Sequence, residues 1–240
     1  MSIPWFDLTL PTAAANLALD EALLLEAEDG LAGEVLRFWE WTEPAVVLGA
    51  GGQIAADVDE SACAADGVPT LRRASGGGTV LLGRGCLLFS LILAYERDSA
   101  LRDVNSSYRY ILARMAAALR PFAEHLEHAG TSDLAVGGLK LSGNAQQRKR
   151  HYLLHHGSIL YSFDHSLMSR YLRMPDKQPN YRGNRSHEAF VANLPADRET
   201  LERLIRAEWN AKERLVTWPE ARTRELVRDK YGTQEWTLRR

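Results

Sequence analysis

The sequence predicts an α+β (α/β) fold: a central mixed or antiparallel sheet flanked by helices. Three observations carry that expectation. Short apolar runs of strand length recur between residues 3 and 163, helical spacing is confined to a few segments between them, and from Asp164 onward the pattern turns helical and polar. The chain has 240 residues, 45% hydrophobic and 25% charged, long enough for one sizeable core without metals or disulfides. One domain over 1–240 is expected, with no internal repeat, low-complexity tract or clear linker.

A first strand is expected over 3–10, ended by Pro11. Thr12 or Asn16 can cap the helix that follows, where Leu17, Leu19, Leu23 and Leu24 form an apolar face and Gly30 and Gly33 close it. Strands follow at 35–39 and 45–49, then a loop of Ala50, Gly51, Gly52 and Gln53. Residues 57–67 read as helix, with Val58, Ala62 and Ala65 on one face. The stretch 68–73 enters a glycine loop and 79–82 leaves it as a strand; Gly83-Arg84-Gly85 turns into a buried strand over 87–94. The longest helical pattern runs over 104–126, with Pro121 able to kink or split it. Gly137-Gly138, between 134–136 and 139–142, is a hairpin signal, and one more strand is expected over 153–163. Helices are expected over 167–172, 199–215 and 219–231, with a basic, turn-rich segment over 174–187.

A formal charge of −2 argues against a general nucleic-acid binder. No run approaches 18 apolar residues, and the first residues lack a basic and then apolar leader, so neither a membrane partner nor a secretory signal is expected. The only cysteines, Cys63 and Cys86, belong to no CxxC or Cys/His cluster, which suits a reducing cytoplasm and gives no zinc signal.

The most informative stretch is Arg72-Arg73-Ala74-Ser75-Gly76-Gly77-Gly78-Thr79-Val80. Three consecutive glycines are costly to order and suit a place where backbone lies against a ligand; arginines beside bare amides suggest an anion. The loop fits neither the Walker pattern nor the dinucleotide fingerprint, because it opens a strand. Its plainer reading is a hairpin or bulge that lets strands cross closely. Lys140 is the second candidate. Strand alternation places it opposite Leu139 and Leu141, and the small residues Ser142, Gly143, Asn144 and Ala145 after it leave room for a ligand. An exposed lysine on a half-solvated sheet is its ordinary outcome. His155 and His156 point to opposite faces of one strand and cannot share a metal, while Gly157 marks a close approach. Cys86 reads as a small buried hydrophobe and Cys63 as inert. The segment with Lys177, Arg182, Arg185 and His187 is either a solvated loop or a basic loop that closes over an anion.

Taken in order, these motifs resemble the lipoate–protein ligase A family of the biotin/lipoate ligase superfamily. Arg72 to Val80 is similar to that family's R-R-x-S-G-G-G-x-V loop, and Lys140 to Ala145 to its K-x-S-G-x-A motif. His156-Gly157-Ser158 is similar to the following H-G-T/S, and Asn16 to Leu23 to an N-x-A-x-D-E-x-L helix. The resemblance implies activation of lipoate or octanoate by ATP and Mg²⁺ to an acyl-adenylate, followed by acylation of a lysine. That lysine would lie on a lipoyl carrier domain, such as a 2-oxoacid dehydrogenase E2 or a glycine-cleavage H-like protein. Lys140 would be catalytic, and Arg72, Arg73, Ser75, Gly76, Gly77, Gly78, Thr79, Asp133, Ser142, Gly143, Ala145, His156 and Gly157 would bind substrate or nucleotide. Cys86 and Arg185 are further candidates. No protein-held metal is implied, Mg²⁺ arriving with ATP.

The chain departs from the family at three places. Val80-Leu81-Leu82-Gly83-Arg84-Gly85-Cys86 replaces the x-V-x-H-D-x-G-N continuation of many ligases, which puts contacts to adenine or metal in doubt. The C-terminal accessory domain of larger ligases has no counterpart before Arg240, so an accessory chain would supply that role or the chain does without it. Octanoyltransferases of the superfamily use a cysteine upstream of the lysine motif, where this chain has Gly130-Thr131-Ser132-Asp133-Leu134. The main expectation is therefore a ligase, with an octanoyl- or lipoyl-transferase acting between carrier proteins as the alternative and a non-catalytic acyl or nucleotide binder as the lesser one.

Overall fold

A computed structural model describes residues 2–239. The chain opens with β1 (Ile3–Asp7) and α1 (Ala13–Glu28), which is capped by the Thr12 side chain accepting from the Ala15 amide. It continues through β2 (Val35–Trp39), β3 (Ala45–Leu48), α2 (Ile54–Asp57), α3 (Glu60–Asp66), β4 (Thr70–Arg72), β5 (Val80–Leu82) and β6 (Cys86–Ala94). Then come α4 (Val104–Leu119), β7 (Glu127–Ala129), β8 (Asp133–Val136), β9 (Leu139–Arg148) and β10 (Tyr152–Leu160). The last part holds α5 (Ser166–Tyr171), α6 (His187–Phe190), α7 (Arg198–Glu208), β11 (Ala211–Arg214), α8 (Glu220–Leu226) and α9 (Gln234–Leu238), with a π turn over Val227–Tyr231.

Eight strands form a mixed sheet in the order β11-β1-β2-β6-β10-β9-β8-β7, in which β1 runs parallel to β2 and β11 and the other neighbours are antiparallel. Helices α4 and α7 cover one face, where Ile111, Leu112, Met115, Leu201 and Ile205 meet Leu36, Phe38, Leu87, Phe89 and Leu91. On the other face α1 lays Leu19, Leu23 and Leu24 against Phe6, Val35, Ile92 and Leu154. Strand β6 is therefore covered on both sides, which explains its unbroken apolar run.

The sequence pattern predicts one sheet for all the strands, but β4-β3-β5 form a separate three-stranded sheet packed against the α1 face. Such short apolar strands carry no information about their partners. The connection from β4 to β5 is the glycine loop, so this small sheet suspends the loop over the large one. Other boundaries differ for local reasons. The helix expected over 104–126 stops at Leu119 before Pro121; the remainder is a series of turns that leads into β7. The helix expected over 199–215 ends at Glu208; Asn210 turns the chain at φ 51 and β11 pairs in parallel with β1. The helix expected over 57–67 is two pieces separated by an extended Val58. The β8–β9 hairpin forms as expected, with Gly137 and Gly138 at φ 55 and 76, the double positive φ of a type I′ turn. No helix of the described residues is long and apolar enough to cross a membrane.

Candidate functional site

A cavity of about 130 Å³ lies between the large sheet, α1 and the glycine loop. Its floor runs across four adjacent strands: Gly143 and Ala145 from β9, His156 and Ser158 from β10, Leu88 from β6 and Trp39 from β2. At roughly 4.8 Å per strand the span from β9 to β2 is about 14 Å. Leu17 and Asp20 of α1, Val47 and Leu82 of the small sheet, and Gly77, Gly78 and Thr79 of the loop close it from above. One end is mainly apolar. The other carries Lys140.

Lys140 is placed by a β-bulge. The register slips between Leu134 and Ala135, so that Leu134 faces Ser142 and Ala135 faces Lys140. Leu141 is buried, while the Lys140 side chain turns toward the cavity and its Nζ lies 2.7 Å from Asp133 Oδ1. Gly143 leaves the space this needs, because a Cβ there would stand 2.8 Å from Nζ. The Lys140 carbonyl accepts from the Ala192 amide, and Tyr181 donates its hydroxyl to Asp133 Oδ2 at 2.7 Å. The solvent-facing outcome does not apply to this lysine.

The two arginines of the loop part company, as strand alternation requires. Arg73 is buried against the cavity and donates to Ser75 Oγ and to the carbonyls of Val47, Gly76 and Gly78. No carboxylate pairs with it among the described residues, and burial pushes its guanidinium down to about 10. Gly76, Gly77 and Gly78 donate their amides to no group among the described residues. A buried cation neutralised only by carbonyl dipoles, beside free amides, is a place that favours negative charge. Arg72 does not line the cavity. It points away and donates to the carbonyls of Gly49, Gly52 and Thr237, while its own carbonyl accepts from Trp236 Nε1.

Several other expected contacts are also indirect. Ser75 and Gly76 lie behind the lining, and buried Ser142 accepts from the Asn144 side chain. Cys86 is outside the cavity and 1% exposed, its thiol pushed up to about 12 by burial; Cys63 is buried on α3. Arg185 is pinned to the carbonyls of Gly138 and Tyr181, and Arg182 is buried against Phe190, so these two arginines clasp the hairpin, while Lys177 is exposed. Thr79, Asp133, Gly143, Ala145, His156 and Gly157 do line the cavity, with Arg73, Gly77, Gly78 and Lys140. His155 points to the opposite face as expected, fully buried and held neutral by burial, down to about 3.

Sequence reasoning read Asn16 as a helix cap and Asp20 and Glu21 as part of a family motif but gave them no place in the site, although polar residues in the middle of an apolar helix were the available signal. Asp20 pairs with Arg37 at 2.6 Å, and Arg37 also donates to Asn16. Burial alone would raise the Asp20 carboxyl, but Arg37 and His156 hold it below its ordinary value. His156 completes the chain: Nε2 is 2.6 Å from Ser75 Oγ and Nδ1 is 3.3 Å from Asp20 Oδ2. The Asp20 carboxylate can only accept, so in the neutral imidazole Nδ1 carries the hydrogen that faces it and Nε2 accepts from the Ser75 hydroxyl. Glu21 next to it is bound by Lys230, Tyr231 and Gln147. These networks tie α1, the C-terminal segment and the glycine loop to one cavity wall.

An apolar trough with an ammonium at one end suits a hydrophobic acyl chain whose carbonyl oxygen gains negative charge during reaction. Among the described residues no group of three or more His, Cys, Asp or Glu is arranged to hold a metal ion.

Residues 12–205 match the lipoyl protein ligase A/B catalytic domain. The octanoyltransferase LipM of Carboxydothermus hydrogenoformans is 31% identical over 95% of each chain. Among solved structures, a lipoate-protein ligase A bound with ATP superposes with a TM-score of 0.85 at 23% identity, covering 99% of both chains. The bi-partite lipoate protein ligase of Thermoplasma acidophilum gives 0.82 at 22%, covering 99% of this chain and 96% of that one. At those identities the structures speak for the fold.

Proposed function

Because the chain belongs to the lipoyl protein ligase A/B catalytic-domain family, we propose that it transfers an octanoyl-class acyl group from a carrier thioester to a lysine of a lipoyl carrier domain. The observation that carries this reading is the trough itself, lined by Leu88 and Phe89 of β6, Trp39 of β2 and Leu17 of α1, and ending at Lys140. Burying an eight-carbon tail there contributes roughly 5 kcal/mol, at about 0.8 kcal/mol per methylene. The relative named an octanoyltransferase favours transfer of an octanoyl group over the ligase reading expected from the motifs.

The acceptor amine attacks the acyl carbonyl, the C–N bond forms as the C–S bond breaks, and the departing thiolate takes up the proton released by nitrogen. Lys140 stabilises the negative charge that develops on the carbonyl oxygen, released for this from its resting place on Asp133. A Cβ built at Gly77 would stand 3.9 Å from that of Ala145, on the strand that carries Lys140. No enzyme nucleophile is needed, since a thioester is already activated, and neither cysteine lines the cavity. Buried Cys86 therefore does not stand in for the nucleophile that other transferases use.

The glycine-loop side of the cavity favours a second reading, an acyl-adenylate made from free acid and ATP. Arg73 and the free amides suit an α-phosphate, and the two carboxylates lining the cavity, Asp20 and Asp133, are already paired with Arg37 and Lys140. Magnesium would then be held by the phosphates, and its chemistry would be to neutralise the departing diphosphate. The test supplies a purified lipoyl domain with octanoyl carrier protein in one arm, and with octanoate, ATP and Mg²⁺ in the other. Intact-mass acylation in the first arm supports transfer. Acylation in the second arm alone replaces it with ligation, and none in either overturns both.

A further inference from the structure

The segment over 174–187 places one phenol behind the cavity wall, on Asp133. Tyr181 is held by its neighbours: Arg185 ties its carbonyl to the hairpin turn at Gly138, its ring packs 5.1 Å from that of Phe190, and Gly130 leaves room beneath it, a Cβ there standing 3.4 Å from the ring. Its hydroxyl is thereby delivered to Asp133 Oδ2 while Lys140 holds Oδ1. Asp133 itself is 6% exposed, so water does little to share its charge.

We propose that Tyr181 is a positioning residue that sets how tightly Asp133 holds Lys140, and so how readily Lys140 turns to the acyl carbonyl. A carboxylate that accepts from two donors divides its charge between them; with the phenol removed, the whole pull falls on the ammonium, and in a poorly hydrated place that pull is strong. Lys140 cannot balance Asp133 and an oxyanion equally well, so tighter parking slows the chemical step and leaves acyl binding along the trough alone. The role rests on the acyl-transfer reading above.

The test is Tyr181→Phe, which keeps the ring packing. We expect kcat to fall about tenfold, the size of one hydrogen bond to a charged group, with KM for the acyl donor changed less than about twofold. In an Asp133→Asn background the same substitution should change kcat by less than about twofold. Labelling with acetic anhydride, read by peptide mass mapping, gives a measure that does not need transfer: Lys140 should react more slowly in Tyr181→Phe, with Lys149 and Lys177 unchanged. Wild-type kcat in the single variant, an equal loss in both backgrounds, or unchanged Lys140 labelling overturns the proposal. A wild-type chain that transfers nothing overturns the functional reading instead, while the labelling comparison still decides the role of Tyr181.

Discussion

Gly49 follows β3, outside the triple-glycine motif, yet it is the residue on which the glycine loop rests. A Cβ built there would lie 2.0 Å from the Gly77 carbonyl oxygen, 3.0 Å from its carbon and 3.3 Å from Arg73 Nη2. Ordinary contact begins near 3.4 Å, so in Gly49→Ala the loop backbone must retreat by more than an ångström. Backbone cannot swing aside as a side-chain tip can, and the retreat strains the bonds from Arg73 Nη2 to Gly76 and Gly78. A misplacement of about 1 Å at a reacting centre costs ~100-fold in rate. Overpacking costs about 1–3 kcal/mol of stability, and for a chain of this size each kcal/mol lowers Tm by about 2–4 °C. The assay is kcat/KM for acylation of a lipoyl domain, with thermal unfolding measured beside it. Gly51→Ala is the control, because nothing stands within 4 Å of its Cβ, and it should behave as wild type. Gly49→Ala within about threefold of wild-type kcat/KM, or Gly51→Ala equally damaged, would refute the argument from space.

Lys140→Ala should abolish transfer while leaving Tm within a few degrees, since the lysine is part-exposed and its partner Asp133 keeps the Tyr181 hydroxyl; wild-type turnover would remove Lys140 from the mechanism. Cys86→Ala should keep transfer within about twofold, because the buried thiol lies outside the cavity; a loss exceeding ~100-fold in a folded protein would restore the thioacyl route. Asp20→Asn should cost about 3–5 kcal/mol near neutral pH by leaving Arg37 buried without its counter-charge. The sign with pH comes from the depressed folded-state value. Wild-type Asp20 contributes stability above the unfolded carboxyl value of about 3.9 and loses it as pH falls through the lower folded value, so the two proteins should converge in acid unfolding. A gap in stability that stays constant to pH 2 (roughly two units below that unfolded value) would show that Asp20 ionisation is not its source.

Local signals in the sequence carried most strands and the β8–β9 hairpin, because strand alternation and the Gly137-Gly138 turn are short-range properties. Lys140, Arg73 and the glycines were legible for a related reason: a lysine among small residues and three ordered glycines are each unfavourable without a ligand to face. The separation of β3, β4 and β5 into their own sheet was not legible, since continuous apolar runs pair equally well with many partners. Nor was Tyr181, which reaches Asp133 across 48 residues. Arg72 misled for the opposite reason. It sits beside Arg73 in the same motif, but the alternation that aims one arginine at the cavity turns the other onto Thr237.

The proposed site would also let one scaffold accommodate two donors. In a thioester and in an acyl phosphate the carbon under attack is the same, and the charge that grows in the transition state sits on the same carbonyl oxygen. On the proposed reading Lys140 and the trough would act on that shared half of the substrate, so their geometry would not depend on the leaving group. The donors differ only in what departs, a neutral thiol once protonated or an anionic phosphate. The groups that would distinguish them lie on the loop side, where Arg73 has no acidic partner and three amides are unpaired among the described residues. Thioester transfer leaves that positive potential idle except as an aid to the oxyanion, whereas adenylate formation uses it fully. On that reading donor choice would be a property of the β4–β5 loop and of the strand Val80–Leu82 that leaves it, and acyl choice a property of the sheet beneath.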